Sequence, residues 1–169
     1  MEQWFGAVCI VAGCGWVGFS MALQYKREEA ALMQLIRGLE FMICELEYRM
    51  TPLPELCQKV AQFSDGIVGK AFGAIASELE AGFAPDAEGC VRTALDSLNQ
   101  MPKLCGQAML QMGLSLGKFD AQGQRASLFQ VQEECRERLR QLGEDRTNRL
   151  RCYRTLGLCA GAALAILFA

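Results

Sequence analysis

Residues 28–50 read EEAALMQLIRGLEFMICELEYRM. Leu32, Leu35, Leu39, Met42, Leu46 and Arg49 recur at intervals of three and four. That is the spacing of one face of a 3.6-residue helix, whereas a half-buried strand would alternate every second residue. Glu40, Glu45 and Glu47 mark its charged side. A helix of this length with a single apolar face needs other helices to cover that face.

The stretch that follows supplies them. Thr51 reads as an N-cap with Pro52 at the first helical position, and Pro54 still lies in the first turn, where the missing N–H is tolerated. A helix is expected over about 54–63, broken by Ser64-Asp65-Gly66. Another is expected over about 67–80, ended by Gly82 and Pro85. Asp86 caps one over about 87–100, and Pro102 opens one over about 102–116. Gly117 is a stop and Asp120 a cap for the last segment. There Leu128, Val131, Cys135, Leu139, Leu142 and Leu150 keep an apolar seam toward the C-terminus. Long alternating runs are absent, and the connections are short. The expectation is an all-α antiparallel bundle of about six helices over residues 26–150.

The charges are confined to this middle region. Positions 4–23 and 155–169 carry none, all 17 Lys and Arg lie between Lys26 and Arg154, and 18 of the 19 acids do too. Residues 4–23 make a helix of about 30 Å, the thickness of a bilayer core. Trp4, Phe5 and Tyr25 stand at its rims, where interfacial aromatics belong. No basic residue precedes this run and Lys26-Arg27 follow it, which is opposite to the polarity of a cleaved signal peptide. The second run, within 153–169, is shorter than a full span. Gly157, Gly161 and Ala165 recur in it every four residues, a small-residue stripe that lets membrane helices approach closely. That stripe is expected to pack against the first span or a second copy of the chain. Basic residues abut the inner end of both runs, so both orient the middle domain into the cytoplasm and the termini across the bilayer.

Composition excludes several chemistries. There is no histidine, which removes Ser-His-Asp triads, Cys-His dyads and most zinc sites. The nine cysteines show no C-x-x-C spacing, and Cys44, Cys57, Cys90, Cys105 and Cys135 fall within expected helices as buried reduced thiols. A net charge of −2 gives no basic field for nucleic acid. Gly66-Ile67-Val68-Gly69-Lys70 is not a phosphate loop: residue 71 is alanine, and Ser64 stands where the first glycine is required. Gly66, Gly69 and Gly73 are read instead as points of close helix packing. No catalytic, cofactor or metal site is expected.

Two motifs carry a family likeness. The run Glu45-Leu-Glu-Tyr-Arg-Met-Thr-Pro-Leu-Pro-Glu55 resembles the stage III sporulation protein AB family. So does Leu116-Gly117-Lys-Phe-Asp120-Ala-Gln-Gly-Gln124, a Leu-Gly-x-x-Asp turn with a glutamine four residues on. The resemblance extends over essentially the whole chain. It implies a fold similar to the cytoplasmic domain of the type II secretion inner-membrane protein F. It also implies a non-enzymatic role in the channel-like complex between mother cell and forespore, in the outer forespore membrane. The partners it implies are the complex's cytoplasmic secretion-type ATPase and its other membrane components. Thr51, Pro52, Leu53 and Pro54 are expected to shape a helix corner, with Glu45, Glu47 and Glu55 beside it as candidate contacts to a basic partner surface. The alternatives are a platform protein of a related type II secretion or type IV pilus system and a membrane-bound thiol sensor. A platform protein would carry a repeated helical domain, and this chain shows no internal repeat.

Overall fold

The computed structural model describes residues 2–49, 51–82, 86–98, 100–116 and 122–144, with 2–22 described as helical backbone alone. Among the described residues there are six helices and no strand: α1 (Glu2–Tyr48), α2 (Leu53–Phe63), α3 (Gly66–Ala81), α4 (Ala87–Asp96), α5 (Lys103–Ser115) and α6 (122–144).

The largest departure from expectation is in α1. Its 47 residues run unbroken from the apolar N-terminal stretch into the bundle, a rod of about 70 Å at 1.5 Å per residue. The expected first span and the expected helix from Glu28 are parts of one element. Neither glycine nor proline occurs between Met21 and Arg37, so nothing in the covalent chain interrupts the junction. Among the residues whose side chains are described, no helix is long and apolar enough to cross a membrane. Of residues 4–23 only Leu23 belongs to that set, and it is exposed. The second expected span with Gly157, Gly161 and Ala165, together with Pro85 and the pair Gly117 and Asp120, lies outside the described residues.

The seam of α1 is the spine of the core. Leu32, Leu35, Leu39 and Met42 are inaccessible to solvent, and Leu46 packs half-buried at the end. Arg49 is not part of this face: it sits in the turn after α1, with its side chain exposed. Phe72 of α3 and Leu56 and Val60 of α2 fill the space beside the spine, with Met109 and Met112 of α5 and Leu128 of α6. The closest approach is at Gly38, where a Cβ would stand 3.0 Å from Val60 Cγ1 and 3.4 Å from Phe72 Cε2. Helices α1, α2 and α3 therefore cross with almost no room for a side chain there.

Direction follows from cross-helix contacts. Phe41 stacks edge-on with Phe63, and Glu45 meets Lys59, so α1 and α2 are antiparallel. Glu47 pairs with Arg125 while the Ile36 carbonyl accepts from Gln132, so α6 returns antiparallel to α1. Gln111–Glu134 and Leu104–Arg138 make it antiparallel to α5 as well. Helices α1 and α5 consequently run the same way, so the bundle is antiparallel at the α1–α2, α1–α6 and α5–α6 contacts but not throughout.

The turns are built largely as their residues dictate. Gly66 and Gly82 adopt φ of 69° and 65°, the left-handed region that glycine enters without steric cost. Gly82 ends α3, its N–H donating to the Glu78 carbonyl. Asp86 caps α4 by accepting from the Gly89 amide at 2.9 Å. Gly69 is the second site of tight packing, since a Cβ there would fall on the Ser64 carbonyl oxygen. Gly73 is in ordinary contact only, and Gly66 packs against nothing, so conformation rather than proximity accounts for Gly66.

Candidate functional site at the corner between α1 and α2

The corner grows out of residues 45–55. Helix α1 closes with the Arg49 amide donating to the Glu45 carbonyl at 2.9 Å. The chain then turns through Thr51 and Pro52, and α2 starts at Leu53. Pro52, at φ −56° and ψ 144°, occupies the cap position itself, and no side chain caps this helix. Thr51 is therefore not an N-cap. Its hydroxyl turns back and donates to Glu45 Oε2 at 2.8 Å. With proline fixing φ at position 52 and again at position 54, the entry angle of α2 is set by covalent geometry, and the Thr51 hydroxyl is left free to bind α1.

Glu45 is the hub of this corner. Its side chain is 11% exposed and receives Lys59 Nζ at 3.5 Å from α2, while Arg49 approaches its other oxygen at 3.6 Å. Glu55, largely exposed, holds Lys59 at 3.1 Å. The Thr51 hydrogen bond holds the Glu45 carboxyl below the ordinary carboxylate range; Lys59 and Arg49 add to this, and burial opposes it. Lys59 is held above the usual lysine range, first by its hydrogen bond to Glu55 and then by the charges of Glu45 and Glu55.

The three glutamates thus do not form one acidic face. Glu45 is internal to the corner, and Glu55 shares Lys59 with it. Glu47 pairs instead with Arg125 of α6 at 3.2 Å. Gln124, half-buried, lies one residue before Arg125 on α6, so the second family motif ends beside the strut between α6 and α1. Lys59 was not singled out from the sequence, although its place four residues after Glu55 is the spacing of a helical ion pair. The aromatic side chains were missed as well. Phe63 is 47% exposed with its ring centroid 4.9 Å from that of Phe41, and Tyr48 is 80% exposed at the end of α1.

Among the described residues no group of three or more Cys, Asp or Glu side chains is placed to hold a metal ion. Burial pushes the Cys57 thiol up to about 12, and Cys105 likewise to about 12, so neither offers thiolate at neutral pH. Cys135 is pushed up to about 11 by the same cause. Cys44 departs from expectation: it is exposed on α1 rather than buried.

Residues 3–169 match the family model described as stage III sporulation protein AB. The chain belongs to the stage III sporulation protein AB family. A curated relative, stage III sporulation protein AB of Bacillus subtilis (strain 168), is 28% identical over 172 residues, covering 99% of each chain. A solved structure of stage III sporulation protein AB superposes with a TM-score of 0.61 at 19% identity, over 72% of this chain and 98% of that one. That likeness shows the fold, and the family match makes this chain a sporulation component.

Proposed function

We propose that the chain is a non-enzymatic membrane scaffold of the sporulation channel complex. In this reading residues 4–23 and 153–169 are membrane helices in the outer forespore membrane, and both termini lie across it. The bundle faces the mother-cell cytoplasm, contacts a secretion-type ATPase, and passes its position to membrane components of the complex. The observation that carries the reading is the continuity of α1. The helix that leaves the apolar N-terminal run also supplies the spine of the core, so movement of the bundle is transmitted along one rod without a hinge. The absence of histidine and the raised thiols of Cys57, Cys105 and Cys135 support a non-enzymatic role.

The test is co-purification. Full-length chain tagged at a terminus, expressed during sporulation, is expected to retain the ATPase in mild detergent. Reporter fusions at residues 1 and 169 are expected to report the side opposite the bundle. A complex that assembles fully yet shows no crosslink between bundle and ATPase would overturn the coupling role. In the same setting Gly161→Leu is expected to weaken assembly in the membrane and leave the bundle's helical signal unchanged, because the small-residue stripe is needed only for helix approach.

A further inference from the structure

A cleft of about 470 Å³ opens where α1 enters the bundle, between α1, the α4–α5 turn and the end of α6. Its α1 wall is formed by Gln24, Tyr25, Arg27 and Glu28. Lys103 at the start of α5 faces the same space, and Met101 and Leu142 supply apolar surface. A second cleft of about 380 Å³ adjoins it and shares Arg27, Gln100 and Pro102.

The cations at this end differ from those at the other. At the α1–α2 corner Arg49, Lys59 and Arg125 are each paired with a carboxylate. Among the described residues, Lys26, Arg27 and Lys103 make no ion pair. The acid in the cleft, Glu28, is engaged elsewhere: its carboxylate accepts from the Leu104 amide at 3.2 Å, filling the N-terminus of α5. The cleft therefore presents two uncommitted positive charges beside apolar walls.

Depth along α1 says what would fill it. The headgroup layer on each side of a bilayer core is about 5–8 Å thick, the rise of about four or five helical residues. Starting from Leu23, the last residue of the uncharged run, that layer ends near Glu28. These are the α1 residues that line the cleft. We infer that the cleft binds the phosphate headgroup of an anionic phospholipid from the leaflet facing the bundle, with Arg27 and Lys103 on the phosphate and Met101 and Leu142 against the glycerol end. The inference rests on the reading of residues 4–23 as a membrane helix.

The full chain in nanodiscs of phosphatidylcholine with increasing phosphatidylglycerol tests it, by native mass spectrometry of lipid retained after detergent extraction. Wild-type protein is expected to retain phosphatidylglycerol in preference to phosphatidylcholine. The variant carrying Arg27→Gln and Lys103→Gln is expected to lose that preference by about fivefold or more, the effect of removing basic residues from an anionic surface. Arg27→Lys should keep most of it, and Arg136→Gln, an exposed paired arginine on α6, all of it. Both cleft residues are exposed, and circular dichroism checks that the variant is folded. A preference unchanged in the double variant, or no preference in the wild type, overturns the lipid site. Displacement of the lipid by millimolar inorganic phosphate reassigns the cleft to a free anion and overturns it as well. A chain that fails to enter the discs overturns the membrane reading and this inference with it, an outcome distinct from insertion without preference.

Discussion

The hydroxyl of Thr51 donates to Glu45 Oε2 at 2.8 Å, tying the residue that leads into α2 to the last turn of α1. Two prolines start α2 and leave its first amides without a side-chain cap, so this bond does not stabilise α2 directly. It stabilises the angle between two helices, and through Glu45 it draws in Lys59 and Arg49.

The bond has a pH signature. The Glu45 carboxyl is depressed in the folded chain, chiefly by Thr51. A depressed carboxyl contributes stability that is present above its unfolded value, about 4.3, and is lost as pH falls through the lower folded value. Wild-type Tm is therefore expected to decline steeply below about pH 4. Glu45→Gln should lower Tm near neutrality and flatten that decline. Thr51→Val should do the same to a smaller degree, since Lys59 and Arg49 still favour the carboxylate. A residual acid slope will remain from Glu137, which Arg140 and Gln141 depress independently. Thermal unfolding by circular dichroism from pH 3 to 7 measures this, and an unaltered acid limb in Glu45→Gln contradicts it.

Two glycines on helices should respond in opposite directions to alanine. At Gly69 the added Cβ falls on the Ser64 carbonyl oxygen, a backbone atom that cannot swing aside. Gly69→Ala is expected to cost about 1–3 kcal/mol through overpacking. At Gly143, on α6, a Cβ meets nothing. Gly143→Ala should stabilise by up to about 0.5–1 kcal/mol through helix propensity. Denaturant unfolding of the two variants in one series gives both signs, and equal signs would refute the packing account of Gly69.

Much of this fold was readable from the chain because its signals are local. The period of Leu32, Leu35, Leu39 and Met42 specifies the buried face of α1, and Asp86 and Gly82 announce a cap and a stop by residue type alone. The failures are of another kind. Thr51 has the chemistry of an N-cap, but Pro52 takes the cap position, and only the folded corner shows the hydroxyl turned toward Glu45. Glu45 looks like a solvated carboxylate on a charged face until α2 covers it. The continuity of α1 is hidden in the sequence by the change in composition at Lys26, which looks like a boundary between elements although a helix passes from an apolar to a charged stretch without a break. The parallel arrangement of α1 and α5 depends on tertiary packing, which short loops do not reveal.

Cysteine reactivity should separate cleanly by position. Cys44 is exposed, while Cys57, Cys90, Cys105 and Cys135 are buried in the bundle. Burial raises the thiols of Cys57 and Cys105 to about 12 and that of Cys135 to about 11. At pH 7.5 a maleimide mapped by peptide mass spectrometry is expected to modify Cys44 within minutes and the four buried thiols only after denaturation. Rapid labelling of Cys105 in the folded chain would revive a thiol-sensing role, because it would require an open, ionisable site.

The rod-like α1 makes a mechanical prediction. If the chain works by holding its bundle at a fixed pose relative to the membrane, a kink between the apolar run and the core should impair it without unfolding it. Gln24 is exposed and lies seven residues before Ala31, the first buried residue of the α1 seam. Gln24→Pro removes one helical hydrogen bond and places the ring against the preceding turn, which costs about 3 kcal/mol locally and kinks or breaks the rod there. The variant should remain in the membrane fraction, because residues 4–23 are unchanged, and its bundle should melt close to wild type, because the core begins beyond the kink. Sporulation efficiency is expected to fall by an order of magnitude, with Gln24→Ala near wild type as the control for loss of the side chain. Full sporulation in Gln24→Pro, with normal expression, would mean that α1 only tethers the bundle and that its continuity has no part in coupling.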